Sequence, residues 1–190
     1  LQKCGFGQRS ELAYPGESEG GIVKAKDANP FVLATLGFGY GLSVTALQLA
    51  KANLIFANKG RLIPVTLIHN DTPSNGIQVM QPKTAENVLL MMEAVMNKGT
   101  GKGARVPGYR VAGKTGTARV AGKNGYKDRK YTASFIGIAP VSKPKFVVAV
   151  IIHEPSRKGY YAASVAGPLF AKVMSGALRL FNIPTDEPVS

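Results

Sequence analysis

The sequence predicts an α+β fold, an antiparallel sheet covered by helices. Three β-prone runs, about 109–120, 130–139 and 145–153, follow one another through short connections. Short connections favour antiparallel neighbours, because parallel strands need a long crossover. Helical periodicities on either side of these runs supply the apolar faces that such a sheet must bury. The chain of 190 residues, 45% of them hydrophobic, is long enough for a real core.

The elements read as follows. Leu1 to Gly7 suits the end of a helix stopped by Gly5 or Gly7. Residues 8–41, rich in Gly, Pro and polar side chains, read as an extended loop crossing a surface. Thr45 opens the clearest helix. Thr45 with Gln48 makes a capping-box pattern, and Val44 with Leu49 a hydrophobic staple. Leu47, Ala50 and Leu54 recur at helical spacing before a stop at Lys59-Gly60. Arg61 to His69 reads as a short strand and Asn70 to Gly76 as a turn-rich loop.

A second helix is expected over about 84–97, with Val88, Met91, Met92, Val95 and Met96 on its packed face. Lys98 to Gly108 reads as a solvated, glycine-rich basic hinge, with anion binding as the alternative. Of the three strands that follow, the last contains the continuous apolar run Phe146 to Ile152, as expected of a strand covered on both faces. A final helix places Pro168 early and buries a stripe of Phe170, Val173, Met174, Ala177, Leu178 and Phe181, ending at Asn182 and Pro184.

Charge and composition narrow the partners without naming one. Twenty-four Lys and Arg against eleven acids give +13, which suits nucleic acid, an anionic membrane surface or an acidic polymer. No run of 18 or more apolar residues suggests a membrane span. Cys4 is the single cysteine, and His69 and His153 stand apart from acidic clusters, so no disulfide or metal site is readable. The chain begins at Leu1 in mid-pattern and is expected to be a piece of a longer protein.

Chemistry concentrates in Val111-Ala112-Gly113-Lys114-Thr115-Gly116-Thr117-Ala118-Arg119-Val120. The β-branched residues favour extended backbone. Gly116 lets a ligand or another backbone approach the strand closely. Lys114 supplies a tunable charge of the kind that catalytic lysines provide. Strand alternation sends Lys114 to one face and Thr115, Thr117 and Arg119 to the other, so their roles should differ. The bland alternative is a solvated edge strand with an incidental lysine.

Gly108 to Thr115 also satisfies the phosphate-loop pattern G-x-x-x-x-G-K-[ST]. That motif needs a strand before the first glycine and a helix starting at the lysine. Gly101 to Pro107 makes no strand, and Gly-Thr-Ala-Arg-Val is a poor first turn of helix. A nucleotide hydrolase and a basic nucleic-acid-binding module stand as alternatives from other classes.

Lys114-Thr115-Gly116, with Thr117 following, resembles the Lys-Thr-Gly box of the penicillin-interacting serine enzymes. Gly39-Tyr40-Gly41-Leu42-Ser43-Val44-Thr45-Ala46-Leu47-Gln48-Leu49-Ala50, Gly108-Tyr109-Arg110, Gly137-Ile138-Ala139-Pro140 and Gly159-Tyr160-Tyr161 extend the likeness along most of the chain. They are similar to class B penicillin-binding proteins of the septum-specific division type. The resemblance implies the C-terminal half of a penicillin-binding transpeptidase domain, of serine β-lactamase-like fold, over residues 1–190. It implies a D,D-transpeptidase that cross-links peptidoglycan stem peptides and is acylated by β-lactams, at the periplasmic face of the inner membrane. It implies no metal, no cofactor and no nucleic acid, with the division machinery as partner.

Such an enzyme uses Ser-x-x-Lys for nucleophile and base, then Ser-x-Asn, then Lys-Thr-Gly. Only the third is present in order. Ser142-Lys143-Pro144-Lys145 fits the first pattern formally but follows the box, and Pro144 opposes the helical turn that the pattern needs. No Ser-x-Asn triplet occurs. The serine-bearing half is therefore expected on a second chain or an upstream segment. By resemblance, Lys114 serves proton transfer, Thr115 and Thr117 hold a ligand carboxylate, and the Thr117 N–H is one oxyanion donor. Gly116 completes the box. Arg119 supplements carboxylate binding, and Tyr126, Tyr160 and Tyr161 wall the acyl pocket. Tyr40 is expected to be a structural anchor.

Overall fold

The computed structural model describes residues 1–12, 14–24, 27–72, 74–122, 125–155 and 159–187, with backbone alone over 121–122 and 125–129. A three-stranded antiparallel sheet runs in the order β5 (Ala112–Gly122), β6 (Gly125–Ala139), β7 (Phe146–His153). The α+β arrangement is the expected one. Helix α4 (Ala162–Leu180) covers one face of this sheet, while α2 (Ala46–Ala57) and α3 (Pro82–Lys98) cover the other.

Strand alternation sorts the side chains between the two layers. Odd-numbered residues of β5 and β6, such as Gly113, Ala133 and Phe135, face α4; even ones, such as Ala112 and Ile138, face α2 and α3. The register pairs Gly113 with Gly137. A side chain at Gly113 would meet the Phe135 ring at 2.6 Å, and one at Gly137 the Phe170 ring at 2.5 Å. The glycine pair thus makes room for these two rings, whose centroids lie 4.7 Å apart and which are both fully buried. This packing sits one residue before Lys114. Strand β7 is covered on both faces, as its apolar run required: Val148 and Val150 pack on the α4 side and Val147 on the other.

Helix α2 carries the capping box. Thr45 Oγ1 accepts from Gln48 N at 3.1 Å, and Gln48 Oε1 accepts from Thr45 N at 3.0 Å. It stops where expected, with Lys59 and Gly60 at positive φ. Its most buried face, however, is Gln48, Lys51, Ala52 and Ile55 instead of Leu47, Ala50 and Leu54, which are half-buried. Gln48 is buried because its amide donates to the carbonyls of Gln8 and Glu19, and Lys51 because it pairs with Glu11. The N-terminal segment is pinned to α2 through these polar groups.

Several expectations are corrected. Residues 8–41 are not one loop: β1 (Gly21–Ile22) pairs with β2 (Leu42–Ser43), and α1 (Pro30–Leu36) lies between them. Asn29 Oδ1 accepts from Val32 N at 2.9 Å and Pro30 opens the helix, a local signal that outweighs the absence of an apolar period. The strand expected over 61–69 is only β3 (Arg61–Leu62), paired with β4 (Ile77–Gln78), because Pro64 cannot donate to a ladder. In α3 the buried face is Ala85, Leu89, Met92 and Met96, and Met91 is exposed. The stretch 98–108 is largely exposed, as expected, but it is anchored by Gly101, Ala104 and Val106, which are buried. There Arg105 donates to the carbonyls of Met96 and Asn97, capping the end of α3.

Helix α4 begins six residues before Pro168, so the proline is interior. Its first turns are Ala- and Gly-rich and show no apolar stripe in the sequence, yet Ala162, Ala166 and Gly167 are buried. An added Cβ at Gly167 would touch Ala104 at 3.4 Å, so small residues are what this contact admits. Val173 and Phe181, expected in the stripe, are exposed, while Phe170, Met174 and Leu178 are buried.

Candidate active site

Strand β5 is an edge strand, and its outer edge exposes backbone groups. In an antiparallel pair, alternate residues turn their peptide groups toward the neighbour or away from it. Lys114 Nζ donates to the Thr115 carbonyl at 2.8 Å, and the Arg119 N–H donates to the Tyr40 hydroxyl at 3.2 Å. The odd residues 115, 117 and 119 therefore present their peptide groups to the free edge. With Thr115 C=O and Arg119 N–H engaged, the Thr117 N–H lies between two occupied positions of that edge.

The side chains divide as alternation required. Lys114 shares the α2/α3 face with Ala112 and is exposed in this chain. Thr115 and Thr117 share the α4 face. The Thr115 hydroxyl lies 3.0 Å from that of Thr100, and the Thr117 hydroxyl accepts the N–H of Ala162 at 3.1 Å. Tyr161, the residue before α4, provides no side-chain cap, so Thr117 supplies one from across the fold. A hydroxyl that accepts in this way keeps its own proton to donate.

Arg119 pairs in register with Tyr131. Tyr131 stacks on Tyr160 with ring centroids 4.0 Å apart and an interplanar angle of 14°. Tyr160 in turn touches Tyr161 at 4.4 Å and donates to its hydroxyl at 3.1 Å. Two of the three expected tyrosines thus stand together at the start of α4, beside the strand that carries Lys114. The side chain of the third, Tyr126, lies outside the described residues. Tyr40 is an anchor, as expected, and its anchor point is the backbone of the site strand.

The phosphate-loop reading fails on this geometry. Lys114 and Thr115 lie inside a strand running from Ala112 to Gly122, where that motif needs the start of a helix. Comparison with known proteins decides the family. The model of the penicillin-binding protein transpeptidase domain matches residues 1–175. The chain belongs to the penicillin-binding protein transpeptidase family.

A probable peptidoglycan D,D-transpeptidase PbpC of Pseudomonas aeruginosa is 42% identical over 98% of this chain and 33% of its own length. The peptidoglycan D,D-transpeptidase FtsI of Escherichia coli K12 is 37% identical over 97% of the chain and 32% of its own. Among solved structures, the apo transpeptidase domain of Burkholderia pseudomallei penicillin-binding protein 3 superposes with a TM-score of 0.91 at 41% identity. That match covers 98% of this chain and 57% of the solved one. The chain therefore spans about a third of these two full-length relatives and just over half of the solved transpeptidase domain.

Within this family frame, Ser142-Lys143-Pro144-Lys145 is a chance pattern. It forms the turn between β6 and β7, and the Ser142 N–H is held by Asp186. Three residues at the site escaped the sequence reading. Thr100 and Ala162 are brought in by tertiary contacts that no local pattern marks. Tyr131 lies in a strand that the sequence predicts, but its place opposite Arg119 depends on the register of the pair.

Proposed function

We propose that this chain supplies the Lys-Thr-Gly side of the active site of a class B peptidoglycan D,D-transpeptidase, one that forms an acyl-enzyme through a serine outside this chain. The observation that carries the reading is the edge of β5: Lys114 on one face, the hydroxyls of Thr115 and Thr117 on the other, and the Thr117 N–H between occupied positions of the free edge. Acyl transfer needs a nucleophile, a proton carrier and donors for the developing oxyanion. The Thr117 N–H serves as one such donor, worth about 2.7–4 kcal/mol of barrier by analogy with other acyl-transfer sites. Lys114, on the opposite face, attends the nucleophile.

The hydroxyls of Thr115 and Thr117 bind the carboxylate of a stem peptide or a β-lactam, and the Arg119 guanidinium adds charge on the same face. Tyr131, Tyr160 and Tyr161 wall the acyl group, as Tyr126 does in the same reading. No metal or cofactor enters this chemistry. The enzyme works in septal wall synthesis beside the division machinery, at the periplasmic face of the inner membrane. The support for that setting is the name FtsI carried by relatives 37–40% identical to this chain.

The test is reconstitution. The chain is combined with the Ser-x-x-Lys- and Ser-x-Asn-bearing part of its transpeptidase domain and challenged with a labelled penicillin. Stoichiometric acylation that requires both parts, and falls when Lys114 or Thr117 is replaced, supports the reading. Acylation of the serine-bearing part at the same rate without this chain overturns it.

A further inference from the structure

The strand that carries Lys114 is held at its start by the C-terminal segment, through contacts beyond the 1–175 stretch that the family model matches. The register of β5 and β6 places Arg110 opposite Pro140, two residues before the paired Ala112 and Ile138. By alternation this is a position where the two residues would exchange hydrogen bonds. Pro140 has no N–H to give, so the ladder cannot close there. Val141 instead donates to the Arg110 carbonyl at 3.0 Å.

Asp186 takes the donors left over. Its Oδ1 accepts the Arg110 N–H at 2.7 Å, and its Oδ2 accepts the Ser142 N–H at 3.0 Å. One carboxylate thus bridges the lead-in of β5 and the exit of β6. Neighbouring tail residues fix it in place. Asp186 N and Glu187 N both donate to the Gly108 carbonyl, at 3.1 and 3.2 Å, while Glu187 Oε2 accepts from Gly108 N at 3.1 Å. The Tyr109 hydroxyl donates to the Ile183 carbonyl at 2.6 Å.

Gly108 has φ +82°, and a Cβ there would stand 3.0 Å from Thr185 Cγ2, so the turn is shaped for close approach of the tail. From the other side, Arg110 forms a two-pronged ion pair with Glu93 of α3 at 2.7 and 2.8 Å. These hydrogen bonds donated to Glu93 raise the guanidinium's pKa above its ordinary value; partial burial opposes, and the charges of Glu93 and Asp186 add to the rise.

We propose that residues 183–187 are a latch that sets the position of β5, and that Asp186 is its pin: a positioning residue for Lys114 and Thr117 that touches no ligand. The inference rests on the transpeptidase reading for its effect on chemistry, but not for its effect on the strand. Lys114 lies four residues along the strand from Arg110, about 13 Å at the usual rise. The Phe135–Gly113 packing gives the intervening segment a rigid link to it.

The experiment compares Asp186→Ala and Asp186→Asn with the parent chain by hydrogen exchange. Asp186→Ala removes both acceptors, whereas Asp186→Asn keeps one oxygen and turns an NH2 toward the other donor. Amides at 110, 112, 114, 116 and 141–142 are expected to exchange about tenfold faster in Asp186→Ala, and by an intermediate factor in Asp186→Asn, with α2 amides unchanged. Equal acceleration throughout the chain, or none at 110, 112, 114 and 116, overturns the latch.

In the reconstituted enzyme, Asp186→Ala should lower the penicillin acylation rate constant about tenfold while leaving the initial binding constant within about twofold. Parental acylation by a variant with the exchange change overturns the positioning role. If the parent itself is not acylated, the transpeptidase reading fails while the exchange result still decides the latch.

Discussion

The Thr117 hydroxyl accepts the N–H of Ala162, the first residue of α4, at 3.1 Å. This bond joins the chemistry-bearing strand to the helix whose entry carries Tyr160 and Tyr161. Ala162 is 1% exposed, so water cannot replace the acceptor. The helix dipole places partial positive charge at that N–H, and a hydroxyl accepting from it becomes a better donor in turn. Thr117 is therefore a structural cap and, in the proposed reading, also a donor to the ligand carboxylate.

Replacing Thr117 by Val removes both roles. Stranding the buried Ala162 N–H should cost about 1–3 kcal/mol, seen as a fall of roughly 2–10 °C in melting temperature. In the reconstituted enzyme, losing a donor to a charged carboxylate should weaken initial β-lactam binding on the order of tenfold to a hundredfold. The backbone N–H survives, so the acylation step should suffer less. Thr117→Ser should recover both properties in large part, and Lys114→Ala should lower chiefly the acylation rate constant. Stopped-flow acylation over a range of inhibitor concentrations separates the two constants. Equal losses in one constant for Thr117→Val and Lys114→Ala would refute the division of labour between the faces.

The 190-residue chain alone should form no covalent adduct with penicillin. Ser142 is its one serine in a Ser-x-x-Lys pattern, and that pattern lies in a turn whose N–H is pinned by Asp186. Intact-mass measurement after incubation with a β-lactam should return the unmodified mass. A stoichiometric adduct on this chain would show that it holds a nucleophile of its own.

What the sequence made legible was what short-range rules govern. The Thr45 capping box, the stop at Lys59-Gly60 and the order of the three long strands follow from neighbours within a few residues. Alternation along β5 by itself sets Lys114 on the face opposite Thr115 and Thr117. Where docking chooses among overlapping stripes, local pattern misled: α3 buries Leu89 instead of Met91, and α2 buries Gln48 because distant carbonyls receive its amide. The start of α4 was invisible for the same reason, its cap coming from Thr117, 45 residues away. Tyr131 and Asp186 gain their roles from pairing and from the return of the tail, which only the fold reveals.

The Glu11–Lys51 pair should give the chain an acid-sensitive component. Partial burial pushes the Glu11 carboxyl up, but the Lys51 hydrogen bond, its charge and backbone hydrogen bonds outweigh this and hold the pKa below the ordinary value. A depressed carboxyl stabilises the fold above its unfolded pKa, and that contribution is lost as pH falls through the folded value. Glu11→Gln should therefore lower the melting temperature near neutral pH and converge with the parent in the acid range. A difference that stays constant from neutral to strongly acid pH would count against the pair as its source.

The glycines of the site strand should tolerate substitution unequally. An alanine at Gly113 would bring its Cβ to 2.6 Å from Phe135 Cζ and 3.0 Å from Met96 Sδ. Phe135 is fully buried against Phe170 and has nowhere to turn, so the strand or the ring must shift. Such overpacking costs about 1–3 kcal/mol, and the shift falls on the residue next to Lys114. At Gly116 the nearest atom is Ser134 Oγ at 2.5 Å, the end of a short rotatable side chain that gives up only a 3.3 Å hydrogen bond to the Gly116 carbonyl. Gly116→Ala should therefore cost less than about 1 kcal/mol of stability. Denaturant melts of both variants decide the ranking. If Gly116→Ala proves the more destabilising, the rigid packing of Phe135 over Gly113 does not set the position of the strand.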